Sequence, residues 1–211
     1  MPLTLQAFRL NLLFLRASLA IDSPERREDG EASSGAATRR GRKVTHTAEG
    51  RAHSMTATSL LKKQHQEVKG LFRKIDRTED AGARQDLMNQ VIEKLTAHST
   101  IEEEIFYPAV RGLETQKAED VILEALEEHH VVKLVLEELP TVDPEDENFA
   151  AKMTVLSEMV EHHADEEEDD MFALAAKLGD GELETLGARM TVRMEELGAG
   201  VQESGARSDR R

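Results

Sequence analysis

From about residue 58 to residue 179 the apolar positions fall alternately three and four apart, which is the period of helices with one buried face. The spacing predicts four helices. The first runs from about Ser59 to Ile75, with Leu61, Val68, Phe72 and Ile75 on its stripe. The second runs from about Ala83 to Tyr107, with Leu87, Val91, Leu95 and Ile105, and Pro108 is expected to limit it. The third, about Lys117 to Leu139, carries Ile122, Ala125, Val132, Leu136 and Leu139. The fourth, about Asn148 to Leu178, carries Leu156, Val160, Met171 and Leu174, and Gly179, Asp180 and Gly181 end it. Connectors this short predict an all-α, up-and-down four-helix bundle over residues 55–180. Residues 181–211 are expected to add a fifth, shorter helix and a frayed tail, QESGARSDRR.

Residues 1–54 do not share this pattern. An apolar opening broken by Arg9 and Arg16 runs into the Gly/Ser/Arg-rich, aperiodic SPERREDGEASSGAATRRGRK, which reads as disordered. The segment is expected to be upstream sequence before a start at Met55, with a targeting segment and an ordinary tail as the alternatives. No uncharged apolar run is long enough to cross a bilayer, so no membrane partner and a cytoplasmic location are expected.

Composition narrows the chemistry. The 211 residues include no cysteine, which excludes disulfides, thiolate zinc sites and iron–sulfur clusters. The net charge is -15, and it is uneven: residues 1–54 carry +3 and residues 55–211 carry -18. Such a surface repels nucleic acid and attracts cations. GxGxxG and GxxxxGK[ST] are both absent.

Six residues on the apolar stripes are out of place there: His65, His98, Glu102, His129, His163 and Glu167. They form a repeat. His65 opens HQEVK and His129 opens HHVVK; His98 opens HSTIEEEIFYP and His163 opens HADEEEDDMF. The halves share H-x-x-V-K and H-x-x-x-E-E, with an aromatic nine positions after the second histidine, Tyr107 or Phe172. Residues four apart share a helix face. His98 with Glu102, and His163 with Glu167, can therefore aim at one interior point, which His65 and His129 approach from the other two helices. A glutamate is almost never buried unpaired, and imidazole with carboxylate suits iron, zinc, nickel or manganese. Six ligands exceed one tetrahedral zinc and fit two metals. The alternative, ordinary polar residues in a solvated acidic run, fits any one of the six better than it fits all six in duplicate spacing. Two register choices stay open. His129 continues its stripe better than His130, and His163/Glu167 better than His162/Glu166, which has the same spacing. Glu103, Glu104, Glu168 and Asp170 are expected to form a solvated rim. Tyr107, the sole tyrosine, is expected to pack at a helix end, or else to serve as a hydrogen-bond or electron donor. Met153, Met159 and Met171 are expected to fill core gaps. His46 and His53 read as incidental.

These strings, HQEVKGLF, HSTIEEEIFYP, EEHHVVKLVLEEL and EHHADEEEDDMF, resemble the hemerythrin-like family, the HHE cation-binding domain, over about residues 58–178. The resemblance implies a four-helix bundle around a non-haem di-iron site, with His65, His98, Glu102, His129, His163 and Glu167 as ligands. One position departs from the family: oxygen-carrying hemerythrins have a fifth histidine where this chain has Lys133. The departure weighs against plain oxygen carriage and favours redox chemistry or sensing. The expectation is a di-iron protein, with zinc or manganese as alternative metals, that meets a diatomic ligand or peroxide in sensing or stress response. The alternatives are a peroxide-consuming or iron-oxidising enzyme, and a structural bundle with zinc or no metal.

Overall fold

The computed structural model describes residues 55–208, with 199–208 as backbone alone. The expected N-terminal extension, with His46 and His53, lies outside the described residues. Helix α1 spans Ala57–Ile75. Helix α2 (Ala81–Ile101) passes through a π-helical turn (Glu102–Phe106) into α3 (Tyr107–Arg111). Helix α4 (Gln116–Glu138) ends in a 3-10 turn, Leu139–Thr141. Helix α5 (Glu147–Glu166) passes through a second π-helical turn (Glu167–Met171) into α6 (Phe172–Ala175) and a 3-10 turn, Ala176–Leu178. Helix α7 spans Asp180–Ser208. Among the described residues there is no strand.

The starts of the helices are written locally. Thr56, Asp80, Thr115 and Asp146 each stand at an N-cap and accept a hydrogen bond from a first-turn amide, of Ser59, Ala83, Ala118 and Asn148 respectively. Caps of this kind are worth about 1 kcal/mol each. Gly179 ends the fourth arm with φ 86°, a conformation open to glycine and strained for other residues.

Two expectations need correction. Pro108 does not stop the second helix, which continues to Arg111. The π turn just before it shifts the hydrogen-bond ladder, so that the Tyr107 amide donates to the Glu102 carbonyl. Pro108 then sits in the first turn of α3, where a missing amide hydrogen is tolerated. The fifth helix is not short: at 29 residues α7 is longer than α1, α2, α4 or α5.

The core is split in two. One apolar cluster includes Leu61, Ile101, Phe106, Ile122 and Leu174, joined by Leu183, Leu186 and Met190 of α7. The other includes Val68, Phe72, Val91, Leu136, Leu156 and Val160. Along every arm the polar stripe residues lie between these clusters: His65 between Leu61 and Val68, His98 between Leu95 and Ile101, His129 between Ala125 and Val132, His163 between Val160 and Met171. Helix α7 packs on α1 and α2 and closes the first cluster. Its Arg193 holds Glu104 through two hydrogen bonds, at 2.7 and 3.1 Å.

Gly187 sets how closely α7 can approach. A Cβ there would stand 2.0 Å from the Met55 carbonyl oxygen and 2.9 Å from the Ala57 amide nitrogen. Gly187→Ala is therefore expected to cost about 1–3 kcal/mol, the usual penalty of forcing atoms into a filled space. Gly198→Ala, which meets nothing within 4 Å, is expected to be neutral or to stabilise by up to about 1 kcal/mol. Thermal unfolding of the two variants against the parent chain checks both.

Candidate metal centre

Each half of the chain delivers one histidine from a straight helix and a His/Glu pair from a helix that loosens at the glutamate. The two π turns begin at Glu102 and at Glu167. A π turn stacks residue i+5 over residue i, and the amides of Tyr107 and Phe172 donate to the Glu102 and Glu167 carbonyls accordingly. This register seats both aromatics against the site. The Phe172 ring stacks on His65 at 6.4 Å, and the Tyr107 ring on His129 at 5.6 Å.

His65, His98, Glu102, His129, His163 and Glu167 are all buried. His65 Nε2 lies 3.2 Å from His98 Nε2, and His129 Nε2 lies 3.2 Å from His163 Nε2. Glu102 spans the two pairs, with Oε1 3.0 Å from His98 Nε2 and Oε2 3.3 Å from His129 Nε2. Glu167 Oε2 lies 3.3 Å from His65 Nε2. Two groups could therefore each hold a metal ion: His65, His98, Glu102 and Glu167, and Glu102, His129 and His163. Glu102 belongs to both.

The outer nitrogens decide what faces inward. Every Nδ1 meets an acceptor: Glu168 for His65 (3.0 Å), Gln64 for His98 (2.6 Å), Glu103 for His129 (2.8 Å) and Glu128 for His163 (2.8 Å). These partners assign the tautomers. With each Nδ1 donating outward, all four Nε2 atoms turn lone pairs into the interior. The close contacts between Nε2 and the carboxylates are then lone pair against lone pair rather than hydrogen bonds. All four carboxylate oxygens of Glu102 and Glu167 are buried with no hydrogen-bond partner. Four imidazole lone pairs and two carboxylates without a donor form a cage that a cation would satisfy and that protons alone satisfy poorly. Burial pushes the Glu102 carboxyl well above the usual range, and Glu167 beside it adds to the push. Burial holds the His98 imidazole well below its ordinary value, with the other imidazoles adding to the effect.

The acceptors on the outer nitrogens escape sequence reasoning, although each is next to a ligand candidate. Gln64 and Glu128 precede His65 and His129, while Glu103 and Glu168 follow Glu102 and Glu167. The expected solvated rim holds only in part. Glu104 pairs with Arg193 and Asp170 with Lys117 at the surface, but Glu103 and Glu168 turn in to the imidazoles. Lys133, at the departing position, gives its ammonium to Glu103 at 2.6 and 2.8 Å and so acts on His129 through that carboxylate. Tyr107 is buried, with Oη 3.4 Å from His129 Nε2; burial and then the surrounding carboxylates push its hydroxyl well above the usual phenol range. Of the rival register residues, His130 is exposed, and the half-buried His162 forms a separate group with Glu128 and Glu166 at 3.4 and 3.7 Å.

A cavity of about 20 Å³ adjoins the cage, with the four imidazoles on one side and Val68, Leu95, Val132 and Val160 on the other. That is room for about one water-sized molecule.

Residues 56–175 match the family described as hemerythrin HHE cation binding domain. The uncharacterized protein Rv2633c of Mycobacterium tuberculosis is 31% identical over 146 residues, which cover 68% of this chain and 88% of that protein. A protein named DNA nickase from Nostoc is 29% identical over 119 residues, 56% of this chain, and the chain spans only 33% of the nickase's length. Among solved structures, the hemerythrin HHE cation binding domain-containing protein that is the Rv2633c homolog from Mycobacterium kansasii superposes with a TM-score of 0.61 at 31% identity, covering 70% of this chain and 91% of that one.

The register can be tested on adjacent residues. His129→Ala is expected to weaken metal binding at least about tenfold, whereas His130→Ala leaves it unchanged. Metal content of each purified variant, measured by mass spectrometry after equilibration with limiting metal, checks both.

Proposed function

The chain belongs to the hemerythrin HHE cation-binding family, and on that premise we propose that it is a non-haem di-iron protein whose centre binds or reacts with O2, NO or peroxide in sensing or stress response. The observation that carries the reading is the cage of four inward Nε2 lone pairs and four unpartnered carboxylate oxygens. His65 and His98 would hold one ion and His129 and His163 the other, with Glu102 spanning both and Glu167 completing the set. An all-nitrogen-and-oxygen donor set with carboxylates fits iron, with manganese and zinc behind it. Bound metal would supply a redox partner and a Lewis acid.

The chain's own residues shape what reaches that centre. Gln64, Glu103, Glu128 and Glu168 hold the four imidazole rings in one tautomer and orientation. Val68, Leu95, Val132 and Val160 wall the adjoining cavity, and its volume limits a ligand to a few atoms. Tyr107 keeps its hydroxyl proton beside His129 Nε2, because burial and the carboxylates oppose ionisation. That proton favours, as a second reading, a peroxide-consuming enzyme in which Tyr107 donates a hydrogen bond to the bound substrate.

Iron-loaded protein is expected to show visible absorption in air that changes on reduction under anaerobiosis and again on adding nitric oxide. A spectrum indifferent to air, to reduction and to nitric oxide would contradict the proposal. Turnover of hydrogen peroxide, lost in Tyr107→Phe with iron content retained, would decide for the second reading.

A further inference from the structure

The two halves of the centre are related position by position, and this exposes where they differ. Gln64 and Glu128 are equivalent, each preceding the first histidine of its half and each accepting from the second: Gln64 Oε1 from His98 Nδ1 at 2.6 Å, Glu128 Oε2 from His163 Nδ1 at 2.8 Å. One is a neutral amide and the other a carboxylate. Gln64 turns its amide oxygen to His98 and its amide nitrogen to the Met194 sulfur of α7. The other two acceptors are alike. Glu168 is shared between His65 and Lys62, and Glu103 between His129 and Lys133. Glu128 faces two imidazoles, His163 and His162, and among the described residues no lysine or arginine stands within ion-pair distance of it. Behind the rings, the His129/His163 pair therefore has one more negative charge than the His65/His98 pair; on the inner side the His65/His98 group has Glu167 in addition to the shared Glu102. The aromatics differ as well: Phe172 stacks on His65, while Tyr107 brings a neutral hydroxyl to His129.

A carboxylate behind a histidine makes the inner nitrogen a stronger donor to a cation than an amide does, because the charge-assisted bond leaves more electron density on the ring. Resting on the di-metal reading, we propose that the outer acceptors decide between the two positions: a divalent cation fills the His129/His163 position, backed by Glu128, first and more tightly, and the His65/His98 position, backed by the neutral Gln64, is the exchangeable one. Gln64 and Glu128 are the positioning residues that set this order. Their exchange typically changes affinity about 10- to 100-fold. At limiting metal the protein then holds one ion rather than two, and it gains or loses the ion between His65 and His98.

The order is read by loading metal-free protein with limiting zinc, crystallising it, and refining the occupancy of each position from anomalous scattering at the zinc edge. The expected result is higher occupancy between His129 and His163. Gln64→Glu should raise the occupancy between His65 and His98. Glu128→Gln, which keeps size and shape, should lower it between His129 and His163. The double exchange should reverse the order. Equal occupancies in the parent chain, or an order unchanged by the double exchange, would overturn the proposal while leaving a two-metal centre intact. Absence of zinc from both positions at saturating metal would instead overturn the di-metal reading on which it rests.

Discussion

Everything about this bundle turns on four hydrogen bonds made on the outside of its centre. The bonds from the four histidine Nδ1 atoms to Glu168, Gln64, Glu103 and Glu128 fix the protons outward. They leave four lone pairs facing two buried carboxylates that have no donor of their own. An interior with so many acceptors, and the Tyr107 hydroxyl as a lone donor beside His129, is unfavourable by on the order of several kcal/mol per buried charge unless a cation enters it. The apolar clusters on either side of this layer supply the burial that holds it closed. The layer in turn interrupts what would otherwise be one continuous core.

The two π turns are the backbone counterpart of this arrangement. An α-helix would carry Ile105, Phe106 and Tyr107 around three different directions, yet all three are buried. The extra residue in each π turn slips the following arm so that its aromatic stacks on a histidine of the opposite half or of the neighbouring helix. It also lets consecutive glutamates work in pairs, with Glu102 and Glu167 facing the interior while Glu103 and Glu168 reach the outer nitrogens. One half's second helix thereby supports the other half's first histidine, and the two repeats are interlocked rather than side by side.

Much of this was legible in the sequence. The stripes gave four helices with ends within a few residues, because a 3.6-residue period is a strong signal over twenty residues. The duplicated H-x-x-V-K and H-x-x-x-E-E placed six polar residues on buried faces, where the structure brings them together. The π turns were not legible as such, although three adjacent apolar residues after EEE were a trace of them. The spacing of four from His98 singled out Glu102 from its run, but it did not show that Glu103 turns in to His129. Gln64 and Glu128 carried no signal of their own, because the histidines beside them held the pattern. The length of α7 was hidden by its glycines, one of which, Gly187, is a contact point rather than a helix end.

The central claim is that the buried layer exists for a cation and is a liability without one. Calorimetric unfolding of metal-free protein, of metal-loaded protein, and of Glu102→Leu with Glu167→Leu tests it most directly. The account predicts that metal at a thousandfold excess over its dissociation constant stabilises the parent chain by about 4 kcal/mol. It also predicts that the double leucine variant is at least as stable as the metal-free parent and indifferent to metal. A metal-free parent more stable than the double variant, and unmoved by added metal, would contradict the account.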